Sequence, residues 1–192
     1  MGGEVDPEFK ERTVGETYSD QSSSISGYHW HTMGAVYSKA LLNRVGPWNE
    51  ELTGSQDWEF QGRVKLWAHN RQFSDCLVGY WRQHSGDRVG ASEFRKDYVD
   101  SVIKACFSLW DLSKEHNALS TQLQRNLGKK VFRHSLEFGA HGAPAERNKS
   151  LKELAKRSKG SLFNRILAAW RHLPSCLDKS FYNLLQKTSR SE

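Results

Sequence analysis

Up to residue 27 apolar positions are sparse, and the run Gln21-Ser22-Ser23-Ser24 typifies the stretch. Such a segment has little surface to bury, so it reads as a loop or disordered arm, with one short strand around Arg12–Val14. From Tyr28 the texture changes. Trp30, Met33, Ala35, Val36 and Tyr37 predict a strand running into a turn. Ser38 to Val45 predicts a short helix, with Ser38 as N-cap, Leu41, Leu42 and Val45 on one side, and Gly46-Pro47 as its stop. A polar loop, Asn49 to Ser55, leads to a second helix over Asp57–His69, where Phe60, Val64 and Trp67 recur at helical spacing. Asp57 falls in or just before its first turn. Phe73–Trp81 then reads as a strand, followed by the polar segment Arg82–Arg88.

Beyond Ser92 the period is helical throughout. Phe94, Tyr98, Val102, Cys106 and Leu109 mark one amphipathic helix. Leu119, Leu123, Leu127 and Val131 mark a second that continues to Phe138, and the tract Gly139–Pro144 breaks it. A basic helix is expected over Ala145–Lys159, another over Leu162–Leu173, and a short one after Pro174. The chain thus divides into an arm (1–27), an α/β half-domain (28–92) and a basic helical region (93–192).

Charge sharpens that division. Residues 1–93 hold 9 basic and 13 acidic side chains, whereas residues 94–192 hold 19 and 9, so the overall +6 conceals an acidic half and a basic half. The basic half is read either as solvated helix faces or as a surface for an acidic partner. Hydrophobic residues make up 37% of the 192, below the globular average, but seven Trp, nine Phe and six Tyr supply apolar area for a modest core. Three widely spaced cysteines give neither metal-ligand spacing nor a disulfide framework. No apolar run approaches the roughly 20 residues of a membrane span, and the acidic N-terminus lacks the apolar core of a signal peptide. A cytoplasmic protein is expected, with peripheral attachment to a membrane as a variant.

Three motifs follow in order: Gly46-Pro-Trp-Asn-Glu-Glu51, Gly54-Ser-Gln-Asp-Trp-Glu59 and Gly79-Tyr-Trp-Arg-Gln-His84. Together they resemble the acceptor-side second half of family 2 glycosyltransferases, over about sixty residues from Tyr28 to Arg88. The resemblance implies an α/β fold: the second half of a GT-A (Rossmann-like) domain, followed by an all-helical C-terminal region. It implies transfer of a sugar, with inversion, from a nucleotide-diphosphate donor to a hydroxyl of a glycan or lipid-linked acceptor. Asp57 is then the general base that takes the acceptor proton, a task for an oriented and partly desolvated carboxylate between aromatic faces. Without the flanking motifs, Asp57 would read as a carboxylate placed at a helix N-terminus by the helix dipole.

The same resemblance assigns Gln56, Trp58, Trp48 and Gly34 to the acceptor. The two indoles are alternatively core residues, as Trp67 is expected to be. Gly34 and Ala35 are small enough for a substrate to approach the backbone. Arg82 and Arg88 would face the donor phosphates, and His84 would ligate a divalent metal, Mn or Mg; a loop histidine bonded to water or backbone is the alternative. His29 and His31 lack a third ligand in reach by sequence. The family's nucleotide-binding first half and its Asp-x-Asp metal motif have no counterpart in these residues, so a fragment or truncated remnant is expected. A second class of function is a non-catalytic module in which Lys149, Lys152, Lys156, Arg157 and Lys159 bind an anionic membrane or other acidic partner. No motif for specific nucleic-acid binding is present.

Overall fold

The computed structural model describes residues 9–10, 25, 34–68, 81–82, 94–158, 162–174 and 176–188. Their order is β1 (Phe9–Lys10), α1 (Lys39–Val45), α2 (Gln56–Trp67), β2 (Trp81–Arg82), α3 (Lys96–Glu115), α4 (Thr121–Ala140), α5 (Pro144–Arg157), α6 (Leu162–Ala169), a 3-10 turn (Trp170–His172) and α7 (Cys176–Thr188). None of these helices is long and apolar enough to cross a membrane.

The helix boundaries follow local chemistry. The Ser38 side chain accepts a hydrogen bond from the Leu41 amide and caps α1, which ends at Gly46 with φ at 77°. Ser120 caps α4 in the same way, through the Leu123 amide. Pro144 opens α5 at a position where its missing N–H costs nothing. The expected helix over Leu162–Leu173 is α6 continued by the 3-10 turn.

The α/β expectation fails. Among the described residues the strand pairing is a two-residue antiparallel ladder, Phe9 opposite Arg82 and Lys10 opposite Trp81, and everything else regular is helical. Of the strand expected from Trp30 to Tyr37, residues 34–37 are described: Gly34 is in 3-10 conformation and 35–37 are irregular. The strand expected at Arg12–Val14 lies outside the described residues, as does the strand expected over Phe73–Trp81 except Trp81, which belongs to the ladder. The physical reason is visible around α2. One side packs Phe60 and Val64 against Val45, Leu41 and Tyr37 from α1 and its approach. The other brings Gly62 against Leu109 of α3, so closely that a Cβ would strike the leucine side chain. Helices therefore cover both flanks of α2, leaving neither to a sheet. On α3, Val102, Cys106 and Leu109 are buried as expected and Phe94 packs on the same core, joined by Val99, Ile103 and Trp110; Tyr98 departs from expectation and lies outward over Gly54.

The main core joins α3 and α4 with Leu154 of α5 and Ala168 of α6, and it includes Ile25 from the otherwise polar arm. A smaller cluster of Phe132, Leu136 and Leu151 receives Trp170, Phe181 and Tyr182. Between these elements lies a buried ion pair. The Arg147 guanidinium donates to Asp178 at 2.6 Å and to the Leu173 carbonyl at 2.8 Å, and the Trp170 indole donates to the other Asp178 oxygen at 2.8 Å. Gly139 of α4 faces this carboxylate with no room for a Cβ.

Breaking that pair from one side strands a charge in the interior. Asp178→Ala is expected to cost about 3–5 kcal/mol in urea unfolding. Gly139→Ala should also destabilise strongly, although it removes no interaction. Wild-type midpoints for both variants would contradict this packing.

Candidate functional site

The loop before α2 is held from both sides. Gly54 donates to the Ser101 hydroxyl, which in turn donates to the Gly54 carbonyl at 2.6 Å, and Thr53 donates to the Asp97 carbonyl. Leu52 is buried beneath it. Ser55 then turns the chain into α2 with φ at 59°, a left-handed conformation that non-glycine residues adopt only when neighbours hold it. Asp57 follows as the second residue of the helix. Its carboxylate accepts the Trp58 amide at 2.8 Å, the expected use of a first-turn acid. The side chain is exposed, so the partly enclosed position between aromatic faces is not what the structure shows.

The first two motifs are tied together by residues that the sequence reading did not single out. Glu59 is buried and grips Arg63 through both carboxylate oxygens at 3.0 Å. Ser108 of α3 donates to the same carboxylate. Arg63 also donates to the Val45 carbonyl at 2.5 Å and the Pro47 carbonyl at 2.8 Å. One guanidinium thus fixes the turn after α1 to the middle of α2. The spacing of Glu59 and Arg63, four residues apart on a helix, is the signal that could have found them. Trp48 is carried by that turn. Its ring stacks on Phe60, with centroids 4.6 Å apart and planes 8° apart, and it remains 42% exposed. Phe60 lies one turn along α2 from Asp57.

Trp58 points into the bundle instead. It packs on the main core, and the Lys130 ammonium sits 3.8 Å from its ring centroid. Burial pushes the Lys130 pKa down, while the nearby Cys106 and Asp57 act in the opposite direction. This contact is a cation–π support for α2 against α4, worth about 1–2 kcal/mol. Trp58 is therefore a packing residue, the alternative already open for it. Trp67 lies in the α1–α2 cluster, as expected.

The structure places Gln56, partly exposed, directly before Asp57, and Gly34 in an exposed position. Arg82 belongs to the two-residue ladder. Arg88 and His84 lie outside the described residues, as do His29 and His31. Among the described residues no group of three His, Cys, Asp or Glu side chains could hold a metal ion, and Glu59, beside Asp57 in sequence, is already committed to Arg63 and Ser108.

Compared with known proteins, the chain matches no family model, no curated protein and no solved structure. The Glu59–Arg63 clamp gives a direct test of the local architecture. Arg63→Met leaves Glu59 buried without its cation and should cost about 3 kcal/mol while freeing the turn that carries Trp48. Loss of amide-exchange protection at Val45 and Gly46 is the expected sign, and unchanged protection would contradict the clamp.

Proposed function

We propose that the surface made by Trp48 and the N-terminus of α2 is an acceptor-binding face for glycosyl transfer. The observation that carries this reading is an exposed indole plate stacked on Phe60 of α2, with the exposed Asp57 carboxylate one helical turn before Phe60 on the same helix. A flat, half-exposed indole suits the C–H face of a pyranose, and its backing by Phe60 removes the rotamer entropy that binding would otherwise cost. A carboxylate beside such a plate can accept the proton of a sugar hydroxyl. Support also comes from the order of the three sequence motifs, two of which lie on the residues that the Arg63 clamp joins.

In the reaction, Asp57 takes the acceptor hydroxyl proton as that oxygen attacks the anomeric carbon of a nucleotide-diphosphate sugar. The bond from that carbon to the diphosphate oxygen breaks, and the nucleoside diphosphate leaves with the electron pair. Inversion at carbon follows from single displacement. The free thiols of Cys106 and Cys176 agree with a cytoplasmic setting, where such groups stay reduced.

Two variants separate the roles. Asp57→Asn should lower turnover by about 10²–10⁴-fold at nearly unchanged acceptor affinity, the usual contribution of a general base. Trp48→Ala should raise the acceptor KM with little change in kcat. The measurement is transfer from a panel of nucleotide sugars to saccharide acceptors by the full protein. Turnover that survives Asp57→Asn intact would sink the assignment.

A further inference from the structure

We propose that the face formed by α5 and α6 docks on an anionic lipid bilayer. A shallow groove of about 390 Å³ lies there, lined by Ala155, Arg165, Ile166, Ala169 and Arg171. Ile166 is 62% exposed, and Leu173 and Leu177, just beyond the same segment, are also exposed. An apolar strip of this kind beside arginines is the pattern of a peripheral surface that sinks a few side chains between lipid headgroups.

Charge selects the partner. The acidic groups of this region are already neutralised within the protein: Asp178 by Arg147, Glu153 by Lys156 and Arg157, Asp111 by Arg157, and Glu146 by Lys96. Lys156 and Arg157 are therefore spent on internal pairs. The exposed Arg165 and Lys152 form no ion pair with an acid among the described residues, Lys149 shares the field of Glu146 with Lys96, and Lys152 sits one turn before Ala155 on α5. The surface is net positive after pairing, which complements an anionic leaflet. Each basic residue held near such a leaflet strengthens binding about fivefold. A nucleic acid would use the cations alone and leave Ile166 without a role, so the exposed apolar side chains favour the bilayer. The inference is independent of the acceptor-site reading.

The test is cosedimentation of the full chain with vesicles of phosphatidylcholine alone and of phosphatidylcholine mixed with phosphatidylserine. Binding is expected to the mixed vesicles only, weakening as sodium chloride rises. Ile166→Asp and, separately, Lys152→Glu should each lower partitioning about tenfold or more. Both positions are exposed, and an unchanged circular dichroism spectrum and Tm would establish that the variants fold. Equal binding to both vesicle types, or none to either, would overturn the proposal. So would an Ile166→Asp variant that partitions like the wild type, or tighter binding to duplex DNA that is indifferent to Ile166→Asp.

Discussion

Asp178 is a carboxylate with no exposed surface, and the position of the last third of the chain depends on how its charge is met. An isolated ionised acid in the interior would be untenable. Arg147 reaches it from α5, Trp170 from the 3-10 turn, and Gly139 of α4 leaves the space that the carboxylate occupies. Four elements converge on one charge. Arg147 also satisfies the Leu173 carbonyl and, more weakly, that of Arg171, so the ion pair holds the tight link before α7 as well. A hydrophobic contact would tolerate sliding of α7 along α4. A carboxylate with two directional donors, one on each oxygen, does not, and so the pair sets register as well as proximity.

The other end of the molecule repeats this logic with different residues. Glu59 is a second buried acid, met by Arg63 and Ser108, and Arg63 extends to the carbonyls that end α1. Trp48 and Asp57 are both exposed and would be mobile on unsupported loops. Here one is stacked on Phe60, and the other begins a helix whose entry is fixed by Ser101. A rigid scaffold beneath exposed groups is what a binding face requires. The bundle and the face are connected through Trp58, which turns inward to Lys130 while its neighbour Asp57 turns outward.

The helices were legible from periodicity and punctuation. Ser38, Gly46 and the break at Gly139–Pro144 act where their chemistry puts them, because caps and breakers work through neighbouring backbone groups; the Ser120 cap was not singled out. The fold class was not legible. Phe60, Val64 and Gly62 announce a helix with two buried flanks, but they do not say whether a sheet or other helices cover them. Leu109 and Val45 make that decision from distant parts of the sequence. Arg147 and Arg157 show the same limit: in sequence they are members of a basic run, yet one is buried against Asp178 and the other reaches Asp111. At the candidate site, the position of Asp57 at a helix start could be read in advance. Its exposure and the inward turn of Trp58 could not, since both depend on α3 and α4 lying behind α2.

Trp48 and Asp57 are proposed to form one sugar-binding face. The most direct measurement is a two-dimensional amide and indole NMR titration of the full chain with saccharide acceptors. The account predicts shifts concentrated at the Trp48 indole N–H and the backbone amides of residues 56–58, with the amides of α5 to α7 unmoved. Shifts scattered over the basic helices, or confined to residues far from Trp48 and Asp57, would contradict it.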